Sequence, residues 1–166
     1  MRQEHLFCAE VYHRLHSMID QSKRVLFCLD GAAAKGAAMR QEIECATMPD
    51  LCFTFVGGDG ELRLEAKIIE NRRVKIGRDQ RNAWCYGGTG KAFPHLWIGA
   101  NECMDQFWMW SHDEFSQKIA THRTSKGPIR VFSCDAFTTS SCDMDTLVMQ
   151  IISWAESNGF KLKVQK

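Results

Sequence analysis

MPDLCFTFVGGDGELRLEAKII, Met48 to Ile69, sets two apolar-rich runs either side of the glycine-dense Gly57-Gly58-Asp59-Gly60. That composition is a β-hairpin signal. With the turn at GGDG, Val56 is expected opposite Glu61, Cys52 opposite Glu65 and Asp50 opposite Lys67. Facing residues of an antiparallel pair point to the same side, and alternate residues share it. One face then carries Leu51, Phe53, Phe55, Leu62, Leu64, Ala66 and Ile68, wholly apolar and suited to a core. Burial of that face is expected to fix the register, because a slip of one residue would turn every side chain over. The other face carries Asp50, Cys52, Thr54, Val56, Glu61, Arg63, Glu65, Lys67 and Ile69, with two carboxylates and an ammonium converging near the open end.

Charged groups within a sheet are costly unless paired or put to use. Two readings account for them. Hard oxygen donors from Asp50 and Glu65 suit Mg²⁺, with Mn²⁺ as a substitute; the ion takes one or two carboxylates plus water and phosphate. It would polarise a phosphoryl oxygen and acidify a bound water that Lys67 orients, which is chemistry for cutting a phosphodiester. Alternatively Lys67 pairs with both acids on a solvated sheet face, where such pairs contribute only about 0–1 kcal/mol.

Pro49-Asp50, followed on the next strand by Glu65-Ala66-Lys67, resembles the signature of the PD-(D/E)XK nuclease superfamily, which includes restriction endonucleases, Holliday-junction resolvases and RecB-like exonucleases. The resemblance covers the motif, its hairpin and the helix expected after it. It implies an α/β fold with a restriction-endonuclease-like core, a mixed central β-sheet flanked by α-helices. It also implies a metal-dependent nuclease in which Asp50, Glu65 and the carbonyl of Ala66 are metal ligands and Lys67 positions the attacking water. Many members place a glutamate on the preceding helix, and Glu10 of HLFCAEVYHRL matches that position. Some carry Gln-x-x-x-Tyr after the lysine; here Gln80-Arg-Asn-Ala-Trp84 has tryptophan in place of tyrosine. The family leaning makes DNA the expected substrate ahead of RNA, and a homodimer would supply the two sites needed to cut both strands of a duplex. A non-catalytic nucleic-acid-binding or interaction domain of the same fold is the alternative.

The segment ENRRVKIGRDQR is locally basic, with Arg72, Arg73, Lys75, Arg78 and Arg81 against Glu70 and Asp79. Beside a metal site such residues would bind phosphates without reading sequence, whereas elsewhere a charge run is a solvated face.

Around the hairpin, Phe7, Val11, Leu15 and Met18 recur at helical spacing over residues 3–20. Lys23 to Leu29 reads as a strand, and the alanine-rich segment from Gly31 to Ala46 reads as a helix. A helix is expected over Ile76 to Tyr86, ending at GGTG. HLWIGA and QFWMW are strands by their branched and aromatic content. Alternate side chains of QFWMW are expected to fill a core, although aromatic platforms also stack bases. Ser111-His-Asp-Glu114 has capping-box spacing and opens a helix to about His122. IRVFS is a further strand, and a last helix runs from Met144 to Asn158, capped by Asp143 and stopped by Gly159. His95 and His112 have no partner at helical metal-ligand spacing and read as core or boundary histidines.

Length and composition bound the rest. The 166 residues, 45% hydrophobic and 25% charged with a net charge of +1, are expected to form one domain, residues 1–166. No apolar run approaches the length of a membrane span and no signal peptide is evident, so an intracellular, cytoplasmic setting is expected. The eight cysteines include no CxxC and no zinc-finger spacing, and read as thiols in a reducing compartment.

Overall fold

The computed structural model describes residues 3–18, 25–29, 51–55, 61–77, 94–121, 129–133 and 140–160. The sheet that organises them grows from the hairpin. Strands β1 (Val25–Leu29), β2 (Leu51–Phe55) and β3 (Glu61–Ile69) run antiparallel in order. β5 (Leu96–Asn101) then lies parallel to β3, and β6 (Phe107–Ser111) antiparallel to β5. The result is a five-stranded mixed sheet, β1-β2-β3-β5-β6, with β3 at its centre. With helices against it, the architecture is compatible with the α/β class.

Helix α1 (Gln3–Met18) follows from its apolar stripe: Phe7, Val11 and Leu15 are buried, and Met18 packs on the same core. That core takes the expected apolar side of β3, Leu62, Leu64 and Ala66, together with Leu51, Leu96, Ile98, Ala100 and Phe107. Helix α3 (Met144–Ser157) completes it through Leu147, Val148, Ile151, Ile152 and Ala155. Both ends of α3 are set by local chemistry. Asp143 accepts a 2.7 Å hydrogen bond from the backbone N–H of Thr146, and Gly159 takes φ 88°, a left-handed conformation that releases the chain.

On the other side of the sheet α2 (His112–Thr121) packs against β5 and β6, its Phe115 fully buried against Trp97 and Trp110. Ser111 caps this helix by accepting from Glu114 N–H at 3.2 Å. QFWMW therefore fills two cores. Phe107 and the half-buried Met109 face α1 and α3, while Trp108 and Trp110 are buried on the α2 side, opposite Gly99 and Trp97 in the strand register.

Two expectations need correction. Leu51 pairs with Leu64, Cys52 with Arg63 and Thr54 with Glu61, so the hairpin register differs by two residues from the one expected, which put Cys52 opposite Glu65. A shift of two leaves every side chain on its expected face, so the hydrophobic pattern does not resist it. The second correction concerns Ile76, expected to begin a helix. Ile76 and Gly77 instead end strand β4 (Arg73–Gly77), which pairs antiparallel with β7 (Ile129–Ser133) in a separate two-stranded sheet. The chain reverses into β4 through Asn71 and Arg72, at φ 51° and 58°, closed by Arg73 N–H donating to the Glu70 carbonyl at 2.9 Å. Two successive positive φ values are those of a type I′ turn, which asparagine tolerates well. The alternation of Arg73, Val74, Lys75 and Ile76 is the period-two signal that marks this strand in the sequence.

The helix expected over residues 31–46, the GGDG turn, and residues 78–86 of the expected second helix lie outside the described residues.

Candidate active site on the central strand

β3 holds the acid-x-lysine motif at the middle of the sheet. Residues of alternate parity on a strand face opposite ways. Leu64 and Ala66 enter the helical core, so Glu65 and Lys67 project to the α2 side. There the Lys67 ammonium donates to Glu65 Oε1 at 2.9 Å. Glu65 is 1% exposed and the Lys67 side chain 13%, so the pair is sheltered and Lys67 is its more exposed member. This differs from the solvated surface pair considered from the sequence, because both side chains are largely removed from solvent.

The parallel register sets Trp97 beside Glu65 and Gly99 beside Lys67. Lys67 Nζ lies over the Trp97 ring, 5.7 Å from its centroid, within the reach of a cation–π contact. Trp97 in turn stacks on Phe115 at 4.0 Å with 8° between the ring planes, and its Nε1–H donates to His112 Nδ1 at 3.2 Å. Gly99 gives the space this arrangement needs. A Cβ there would sit 2.5 Å from Ile69 Cδ1 and 3.2 Å from the Trp110 ring. Trp97 and Gly99 were not candidates from the sequence, and only the pairing of β3 with β5 marks them; His112, read from the sequence as a core or boundary histidine, is the hydrogen-bond partner of Trp97.

Glu10 is not brought to this group. α1 packs on the opposite side of the sheet, and Glu10 is ion-paired with Arg14 at 2.8 Å on the exposed side of that helix; Arg14 also bonds Asp145. These bonds raise the Arg14 pKa above its ordinary value, chiefly through the Glu10 hydrogen bond. Asp50 and Gln80 lie outside the described residues, as do Arg78 and Arg81. Of the basic segment, Arg72 sits in the turn and Arg73 and Lys75 on β4, all exposed; Lys75 pairs with Glu70 at 3.1 Å.

The remaining sequence candidates are structural where they are described. His95 Nδ1 accepts from the Arg63 backbone N–H at 3.0 Å, and its ring packs edge-on to Phe160. Asp143 is a helix cap, and the hydrogen bond from Thr146 holds its carboxyl below the usual aspartate range. Among the described residues Cys8 is a buried free thiol, Cys142 a half-buried one whose pKa burial pushes up, and Cys103 an exposed one. No group of three or more His, Cys, Asp or Glu side chains suited to a metal converges among the described residues. Within them Glu65 is the hard oxygen donor of the motif, a donor type that Mg²⁺ accepts. No helix among the described residues is long and apolar enough to cross a membrane.

No protein-family model matches the chain, and no curated protein matches it.

Proposed function

We propose that the protein is a metal-dependent nuclease acting on phosphodiester bonds, with DNA as the preferred nucleic acid and the whole chain forming one restriction-endonuclease-like domain. The observation that carries the reading is the Glu65–Lys67 pair at 2.9 Å on the central strand of a mixed sheet flanked by helices. An acid and a lysine two residues apart share a face only on a strand, and here the strand beside them begins directly after Pro49-Asp50. Leu51, next to Asp50 in the chain, pairs with Leu64, next to Glu65.

In this reading Asp50, Glu65 and the Ala66 carbonyl would hold Mg²⁺. When bound, the ion supplies Lewis-acid polarisation of a phosphoryl oxygen and acidifies a water. Lys67 would orient the attacking water and offset charge developing on the phosphate through its ammonium. Arg72 and Arg73, exposed at the end of β3 and the start of β4, contribute non-specific phosphate contacts. A homodimer of such domains would cut both strands of a duplex.

The burial of Glu65 favours a second reading, a non-catalytic binding domain of the same fold in which the pair only organises the sheet. One experiment separates the two. Plasmid, linear duplex, single-stranded and branched DNA, and RNA, are incubated with the protein in Mg²⁺ or Mn²⁺ and in EDTA, alongside Asp50→Asn and Lys67→Arg. Lys67→Arg keeps the charge and the pair with Glu65 but alters the water-positioning group. The nuclease reading expects metal-dependent cleavage, lost in Asp50→Asn at an unaltered melting temperature. Binding that persists without cleavage under every condition supports the second reading and rejects the first.

A further inference from the structure

We propose that Trp97 is the positioning residue for Lys67, its indole face fixing the ammonium at the edge of the site; the inference rests on the reading that Lys67 orients the attacking water.

A lysine side chain has four rotatable bonds, so fixing its ammonium takes contacts from more than one direction. Glu65 Oε1 at 2.9 Å supplies one restraint on Lys67 and the Trp97 ring at 5.7 Å supplies a second from another direction. The two restraints come from adjacent strands at one level of the sheet, because Glu65 and Trp97 are register partners.

The indole is itself immobile. Trp97 is fully buried, and Phe115 stacks on it at 4.0 Å and 8°, too close for an ammonium to share that face. Lys67 therefore lies over the other face. Rotation within the ring plane is stopped by Nε1–H donating to His112 Nδ1 at 3.2 Å. The absence of a side chain at Gly99, Lys67's own partner, leaves room on this side of the sheet for the Ile69 and Trp110 side chains, which a Cβ would meet. Such a stacked, hydrogen-bonded ring is a rigid wall, and electrostatic attraction between its π face and a cation is strongest where water is excluded. What Trp97 contributes beyond packing is direction.

The test uses the full chain labelled with ¹³C at the lysine ε carbons, with the Lys67 resonance assigned from the Lys67→Arg spectrum. An ammonium stem held over an indole face feels its ring current, so the Lys67 ε protons are expected upfield of the other lysines. The shift is expected to vanish in Trp97→Leu and to persist, reduced, in Trp97→Phe, which keeps a π face. In cleavage assays Trp97→Leu is expected to lower kcat about 10–100-fold at unchanged KM, as misplacement of a reacting group does, while Trp97→Phe retains most of the activity.

A wild-type Lys67 resonance at the position of the mobile lysines overturns the proposal without any variant having to fold. Unchanged kcat in a folded, cleavage-competent Trp97→Leu overturns it as well. If the ring-current pattern is as expected but the wild type cuts no nucleic acid in any metal, the nuclease reading fails while the Trp97 clamp stands.

Discussion

The two faces of β3 both carry buried side chains and are held by different physics. On one, Leu62, Leu64 and Ala66 lie under α1 and α3, hydrocarbon against hydrocarbon. On the other, Glu65 at 1% exposure pairs with Lys67 among Trp97, Trp108, Trp110 and Phe115. The first face needs volume and shape, since hydrophobic burial has no direction. The second needs specific angles and distances, because a charge removed from water is tolerated only when it is paired and hydrogen-bonded. The difference teaches that burial alone does not say whether a strand face is there for stability or for chemistry. The directionality of its contacts does.

The sharpest way to break that comparison is to remove one charge. Lys67→Leu leaves Glu65 without its ammonium partner in a sheltered site and is expected to lower stability by about 3–5 kcal/mol, read from urea unfolding. The double variant Glu65→Leu/Lys67→Leu is expected to recover to within about 1–2 kcal/mol of wild type, because neutral side chains of similar volume need no partner. A double variant as unstable as the single one would show that the second face depends on volume like the first.

Leu64→Ala tests the opposite face. Truncation of a fully buried leucine is expected to lower stability by about 2–5 kcal/mol through lost transfer energy and a residual cavity. The Lys67 ε resonance should stay where it was in the folded variant. A moved resonance would mean that the two faces are not independent.

A smaller effect is expected of Gly99→Ala, about 1–3 kcal/mol, from overpacking against Ile69 and Trp110. Neighbouring Ala100, directed to the helical face, already carries the Cβ that Gly99 cannot accommodate, so Ala100→Gly should lower stability by less, about 1 kcal/mol. Equal effects measured by urea midpoint at the two positions would erase the contrast between the faces at this level of the strand.

The smallest effect lies at the edge of the hydrocarbon core, at the exposed cap of α3. Asp143→Ala is expected to lower the melting temperature at pH 7 by a few degrees. The Asp143 pKa is depressed in the folded state by the Thr146 hydrogen bond. Its contribution is therefore complete above the ordinary aspartate range and is lost as pH falls through the depressed folded value. The gap in melting temperature between wild type and variant should accordingly narrow under strongly acidic conditions. A gap that does not change with pH would mean that the carboxylate's charge is irrelevant to the cap.

Much of the fold is legible in local sequence. α1 lies where Phe7, Val11, Leu15 and Met18 place it, and the caps of α2 and α3 are those of Ser111 and Asp143. Strand β4 is the miss among the described elements: basic residues at Arg73 and Lys75 mask an alternation that Val74 and Ile76 carry, and Asn71 marks the turn into it. Of the candidate site, Glu65 and Lys67 are together on one face as expected. Glu10 faces away because the register of α1's own stripe aims it outward. Trp97 carries no motif and cannot be found without knowing that β5 lies beside β3.

The sequence by itself determined which side of β3 each described residue occupies and where α1, α2 and α3 begin, because both depend on periodicity and caps within a few residues. It left the hairpin register open by two, since a slip of two preserves every side chain's face and so leaves the hydrophobic pattern unchanged. It also left open what covers the charged face. Only the tertiary structure decided those points, by seating β2 on β3 in one register and by setting Trp97 beside Glu65, with Trp110 and Phe115 packed on Trp97, from segments distant in the chain where no local pattern reaches.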